Sequence, residues 1–444
     1  MQKTAFRISV LAMLALTAAC EDREVILPGQ REGVREVLQT EGMAEPAAST
    51  ENRSQPAAIA AMTRNAGWPQ TPTTDATRIE NAQLGTALTQ AWSVNIGQGD
   101  KRRARLTATP VAENGRVFTL DSAGQVSAVA SSGEVLWQVD LTPGRERADQ
   151  AHGGALALGG GRLYVTSGFG QVTALDPATG DIVWTQRVQA AATGVPTYYD
   201  GLVYAVAGDT TAWAIEADSG RVRWQLDGVS DINNVSGGPA PAVTDQRVIF
   251  AFGNGMVQAA FRQGGLRLWS SLLASKRAGM AFATVDDITG GPVVRGNTVF
   301  AGNYSGSVSA LSLGSGERLW TATMGAADAA WPTADSVYLI SDLAQLVRLD
   351  AQTGEAIWRA DLPGYVPTRR PQKKRDSYYA SYGPIMAGGR LIVASSDGFI
   401  RQFDPRDGSL TGTVEVPGGA TTRPIVVNGT LYVVSTKGEL YAFR

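Results

Sequence analysis

Ala174-Leu175-Asp176-Pro177-Ala178-Thr179-Gly180-Asp181-Ile182-Val183-Trp184 and its counterpart Arg348-Leu349-Asp350-Ala351-Gln352-Thr353-Gly354-Glu355-Ala356-Ile357-Trp358 decide the fold. Each reads as the end of an apolar strand, a Thr-Gly turn, and the start of a strand that carries a Trp. The turn-to-Trp unit recurs at 132–137, 219–224, 264–269 and 315–320. At Asp407-Gly408-Ser409-Leu410-Thr411-Gly412 the turn is kept and the Trp is lost. The interval is about 46 residues, the length of a four-stranded propeller blade.

Upstream of each turn the pattern is also shared. An apolar strand starts beside a Pro or small residue, as in Gly194-Val195-Pro196, Gly291-Pro292-Val293 and Gly383-Pro384-Ile385. A Gly or Asp turn follows, then an alternating strand such as Arg162-Leu163-Tyr164-Val165 or Thr430-Leu431-Tyr432-Val433. Period-two alternation between closely spaced turns marks antiparallel strands. The last unit, 422–444, holds three strands and lacks the Trp-bearing fourth. Ala91-Trp92-Ser93-Val94-Asn95-Ile96 is a single strand with a Trp at the matching place, so it is expected to complete that unit. The sequence therefore predicts an all-β, eight-bladed β-propeller over 91–444. Closure of this kind removes free sheet edges. The Trp residues are expected to pack between blades.

The first residues read differently. Lys3 and Arg7 precede a nine-residue apolar run, Ile8 to Leu16, and Thr17-Ala18-Ala19 leads to Cys20. The run is too short to span a bilayer, and the order is that of a signal peptide over 1–19. Cys20 is the only cysteine, so no disulfide can form within the chain. Loss of Lys3 and Arg7 from the 39 basic residues leaves 37 against 41 acidic ones, a net charge near −4 that offers no basic field for nucleic acid. From Cys20 to Gln90 the composition is Pro, Ala, Ser, Thr, Glu and Gln without sustained period, which predicts a flexible tether. Within it Ala66-Gly67-Trp68-Pro69 stands out, and Trp68 is expected to dock on the folded body.

The two opening stretches resemble the repeat of pyrroloquinoline-quinone enzymes and of their quinone-free relatives. Cys20 after small residues resembles a bacterial lipobox, in which the thiol takes a diacylglycerol. Together with the eight units, these features resemble the lipoprotein propellers of the outer-membrane β-barrel assembly machinery. That resemblance implies lipidation at Cys20, a place on the periplasmic face of the outer membrane, and a non-catalytic scaffold. It implies BamA, and through it the other Bam subunits, as partner, with unfolded outer-membrane proteins as passing clients. Two loops carry the family's partner contact. In this chain they correspond to a segment beginning Asp231-Ile232-Asn233-Asn234 and to Asp287-Ile288-Thr289-Gly290-Gly291-Pro292, where Asp287 and Thr289 are the candidate contacts. The first departs from the family's Leu-x-Leu-Arg-Gly pattern, and Thr289 stands where the second has an Asp. A quinoprotein dehydrogenase and an inner-membrane sensor or substrate-binding propeller are the alternatives.

No constellation for chemistry accompanies these features. His152 is the only histidine and cannot build a multi-histidine metal site. The Asp286-Asp287 pair lacks the further oxygen ligands a hard cation needs. A single Cys cannot form the vicinal bridge of the quinone enzymes. No catalytic residue, metal or cofactor is expected. Arg369-Arg370-Pro371-Gln372-Lys373-Lys374-Arg375 is a basic loop that reads as solvated or as a contact for anionic head groups or an acidic partner, with Tyr378, Tyr379 and Tyr382 beside it.

Overall fold

The computed structural model describes residues 51–444 apart from 103, 189, 209, 229–237, 274–286 and 368–376. Its described part is built from 32 strands in eight four-stranded antiparallel sheets, arranged as an eight-bladed β-propeller. Blades 1 to 7 are continuous in sequence, at 111–140, 154–187, 197–227, 242–272, 290–322, 331–361 and 381–415. Blade 8 takes three strands from 425–443 and its outermost strand, Gln90–Asn95, from the other end of the repeat region. Trp92 pairs with Ala442 and Asn95 with Glu439, so the closure read from Ala91 to Ile96 is present.

The Trp-bearing outer strands share one irregularity. In blade 1, Ala128 pairs with Trp137 and Val129 with Val135, so Leu136 is an extra residue and the strand bulges there. The same register shift occurs beside Trp184, Trp224, Trp269, Trp320 and Trp358. A bulge sharpens the twist and re-aims a side chain. Here it turns each indole onto the next blade. The ring of Trp137 lies over Gly180, and its Nε1 donates to the Pro177 carbonyl at 3.2 Å. Trp184 meets Gly220 and the Ala217 carbonyl in the same way, and Trp320 meets Gly354 and the Ala351 carbonyl. Trp92 repeats the contact from blade 8 to blade 1, on Gly133 and Ser131. An aromatic from the second strand packs against six of these rings, for example Phe118 on Trp137 and Tyr338 on Trp358. The turn glycines are required twice over: their φ is positive, and a Cβ would strike the indole.

Residues 51–90 depart from the expected tether. They form a strap bound along the propeller. Asn52 exchanges two hydrogen bonds with the Arg359 backbone, and the Arg53 amide donates to the Ile357 carbonyl at 2.9 Å, covering the outer edge of blade 6. Ile357 is 3 % exposed, whereas its counterpart Leu319 in blade 5 is 54 % exposed. The strap then crosses the end of the ring where the inner strands finish. Asn65 bonds to Val426 and Asn428 of blade 8, Trp68 to Ala112 of blade 1, and Pro69 to Leu158 of blade 2. Gln70 accepts from Tyr198 of blade 3, and Thr73 bonds to Pro241 beside blade 4 and Val294 of blade 5. Glu80 accepts from Trp331 of blade 6, and Ala82 bonds to Met386 and Gly388 of blade 7. Every blade is touched. The reason is chemical rather than periodic: each inner strand ends with unpaired backbone groups, and an irregular segment rich in Asn, Thr and Gln can satisfy them. Trp68, expected to dock, stacks on Trp331 with ring centroids 6.3 Å apart and is 3 % exposed.

Candidate interaction face and central funnel

The opposite end of the ring is set by the connections that run from the outer strand of one blade to the inner strand of the next. Described residues from seven of these connections wall a central cavity of about 530 Å³. Thr71 of the strap lies among its lining residues, so the strap borders the far end of this funnel.

Apolar and polar residues both line it, and the charges among them are compensated within the fold. Arg423 is buried and pairs with Asp328 at 2.6 Å. Asp328 also accepts from the Gly383 amide at 2.9 Å, and Arg423 donates to the Ala329 carbonyl. Asp100 accepts from the Leu106 amide at 2.7 Å, from Arg105 at 3.2 Å and from the Thr421 hydroxyl. Burial pushes the Tyr382 hydroxyl up to about 12, with Asp100 adding to the shift, so it is a protonated donor throughout the ordinary pH range. Tyr378 is half exposed and meets Tyr365 edge-on at 5.1 Å.

The two candidate contact residues within the described structure both line this funnel. Asp287 is 6 % exposed, and its carbonyl accepts from the Thr289 and Tyr304 amides. The Thr289 hydroxyl donates to the Ala326 carbonyl, across to the next connection. Asp287 is therefore part of the funnel wall. Asp231, Ile232, Asn233 and Asn234 lie outside the described residues, as do Cys20, Asp286 and the basic stretch 369–375. In sequence, 231–234 falls in the connection between blades 3 and 4, and 287–289 in that between blades 4 and 5. His152 is exposed in the connection between blades 1 and 2. Among the described residues, no group of three or more His, Cys, Asp or Glu is placed to hold a metal ion.

Sequence reading missed Asp100, Asp328 and Arg423. Asp100 and Asp328 stand in connections outside the repeating positions, Arg423 stands before the recurring Pro of the last unit, and only ring closure brings them together.

An eight-bladed propeller of quinoprotein-type repeats, with its outer strand borrowed across the closure and a funnel on its axis, defines the class. The solved structure of BamB from Moraxella catarrhalis has this fold, with a TM-score of 0.66 and 19 % identity over 81 % of this chain and 100 % of that one. A quinohemoprotein alcohol dehydrogenase from Comamonas testosteroni shares it at a TM-score of 0.64 and 15 % identity, over 86 % of this chain and 81 % of that one. The profile of the family described as outer membrane protein assembly factor BamB matches residues 122–360 and 308–444. The protein of that name from Yersinia pestis is 26 % identical over 363 residues, 80 % of this chain and 88 % of that protein. The chain belongs to the outer membrane protein assembly factor BamB family.

Proposed function

We propose that this chain is a non-catalytic scaffold of the outer-membrane protein assembly machinery. It binds BamA through the open face of the ring and so assists the folding and insertion of β-barrel proteins. The observation that carries the reading is the family match, which runs from 122 to the last blade and includes both loop-bearing connections. The structure supports a scaffold in a second way. The strap occupies the far end, which leaves the inter-blade connections as the surface that varies from blade to blade. Cys20 carries the acyl anchor, and more than one acyl chain makes such anchoring stable. That places the chain on the periplasmic face of the outer membrane.

The ion pairs inside the funnel favour this reading over a quinone enzyme, because Arg423 and Asp328 already satisfy one another. Affinity purification of the full chain from detergent extract tests the proposal. Co-purification of BamA is expected. Its absence, or saturable binding of pyrroloquinoline quinone with Ca²⁺, would replace the scaffold with the sensor or the dehydrogenase.

A further inference from the structure

Seven of the eight seams between blades are built alike: an indole rests on the turn glycine of the following blade and donates to a carbonyl of that turn. The seam between blades 7 and 8 lacks both halves of this couple. Gly412 stands at the Trp position of blade 7, opposite Gln402. In blade 8, strands Glu439–Phe443 and Gln90–Asn95 are not joined by a turn, so no turn glycine exists to receive a ring. Thr89 and Arg444 instead bond each other through their backbones at 2.8 and 2.9 Å.

The strap passes this seam twice. On the first pass the Asn65 side-chain amide donates to the Val426 carbonyl and the Asn65 backbone carbonyl accepts from the Asn428 amide, both in blade 8. On the second, Asn81 and Ala82 bond to Met386, Gly388 and Gly389 of blade 7. The two passes pair with each other. The Thr63 amide donates to the Asn81 carbonyl, and the Gln83 amide to the Thr63 carbonyl, both at 2.9 Å. Just beyond, the guanidinium of Arg390 in blade 7 donates to the Gly85 and Thr86 carbonyls and to the Gln402 side chain. Leu84 and Leu88 are buried beside it. The apolar packing follows the same division. Separate clusters fill the seams from blade 1 to blade 6, whereas one continuous cluster joins blades 6, 7, 8 and 1 with Trp68, Ala82, Leu84 and Leu88 of the strap.

We infer that residues 63–65 and 81–88 are the fastener of the 7/8 seam, replacing the Trp–glycine couple that this seam alone lacks. Arg390 is its anchor on the blade side. The strength of that joint therefore depends on a segment outside the repeats, whereas the other seams are held by the repeats themselves.

Hydrogen exchange resolved by segment, on the full chain, tests this. Arg390→Ala, and separately Leu84→Ala with Leu88→Ala, are expected to speed amide exchange about tenfold or more in Ser381–Ala387, Leu410–Glu415 and Ile425–Val427. Leu202–Ala207 and Met256–Phe261, across the ring, should keep their rates. Arg78→Ala loosens the same strap where it bonds to Val294 of blade 5 and should leave the 7/8 seam unchanged. If the double leucine variant does not fold, Arg390→Lys keeps the charge, loses the forked contact, and should accelerate the same segments to a smaller degree. Acceleration spread evenly round the ring, unchanged exchange in blades 7 and 8, or an equal effect of Arg78→Ala at that seam would overturn the assignment.

Discussion

Trp358 rests on Gly408 of the following blade so closely that a Cβ on that glycine would lie 2.6 Å from the ring edge. Its Nε1 donates to the Pro405 carbonyl at 3.1 Å, and its side chain is buried. Gly408→Ala is therefore expected to lower stability by about 2–4 kcal/mol, combining overpacking with the strain of a positive φ. Gly201→Ala is the comparison: its φ is also positive, +78°, but nothing lies within 4 Å, and it should cost about 1 kcal/mol. Urea unfolding of the two variants separates the ring contact from the backbone effect. Equal losses would show that the indole adds nothing.

Trp68→Ala removes a buried ring stacked on Trp331 at the far end of the funnel. A loss of about 3–5 kcal/mol is expected, comparable with other buried aromatic truncations. The same urea titration would reveal it. A loss under about 1 kcal/mol would mean that the strap packs weakly on the ring.

Restoring the consensus residue should not help blade 7. Gly412→Trp offers an indole where blade 8 has no turn glycine, and a Cβ there already lies 3.1 Å from the Gln402 amide nitrogen. The expected outcome is a loss of about 1–3 kcal/mol, read as a lower thermal midpoint. A raised midpoint would show that the seam can take the ring after all.

Stability should also fall in alkali. Burial pushes the hydroxyls of Tyr204, Tyr338 and Tyr382 up to about 12. Above pH ~10 the unfolded chain gives up these protons while the native chain still holds them, so rising pH favours unfolding. Their contribution is complete below pH ~10 and is lost between there and pH ~12, with a slope of at most ~1.4 kcal/mol per pH unit for each group. Urea midpoints taken across that range check this. For Tyr382→Phe the decline should be shallower, and an unchanged slope would exclude Tyr382 as a contributor.

The ring was legible in the sequence because its parts repeat. A turn glycine four residues before a Trp in one blade predicts a contact with its counterpart in the next, and the lone strand at Trp92 closes the circle. The strap was not legible, because it bonds mostly to backbone groups of the inner strands and so needs no period of its own. Two residues carried its trace. The third-strand residue opposite the Trp position is Ala in blades 1 to 5 and 8, as at Ala128 and Ala174, but Arg348 in blade 6 and Gln402 in blade 7. Arg348 donates to the Gln55 and Pro56 carbonyls of the strap, and Gln402 shares Arg390 with it. A buried cation in place of alanine calls for partners outside the blade, and the buried Gln402 meets the strap through Arg390 of its own blade. The funnel was hidden for another reason: Asp100, Asp328 and Arg423 stand far apart in sequence and meet only once the ring is closed.

Binding of purified BamA periplasmic domains to the intact chain, measured by calorimetry, tests the central claim that partners engage the open face. Asn233→Ala with Asn234→Ala, in the sequence between blades 3 and 4, and Thr289→Arg, in the funnel lining, should together weaken binding at least about tenfold, ~1.4 kcal/mol. Arg116→Glu, beside the strap-covered end, should leave it unchanged. Loss of binding with Arg116→Glu and none with the mouth variant would contradict the account.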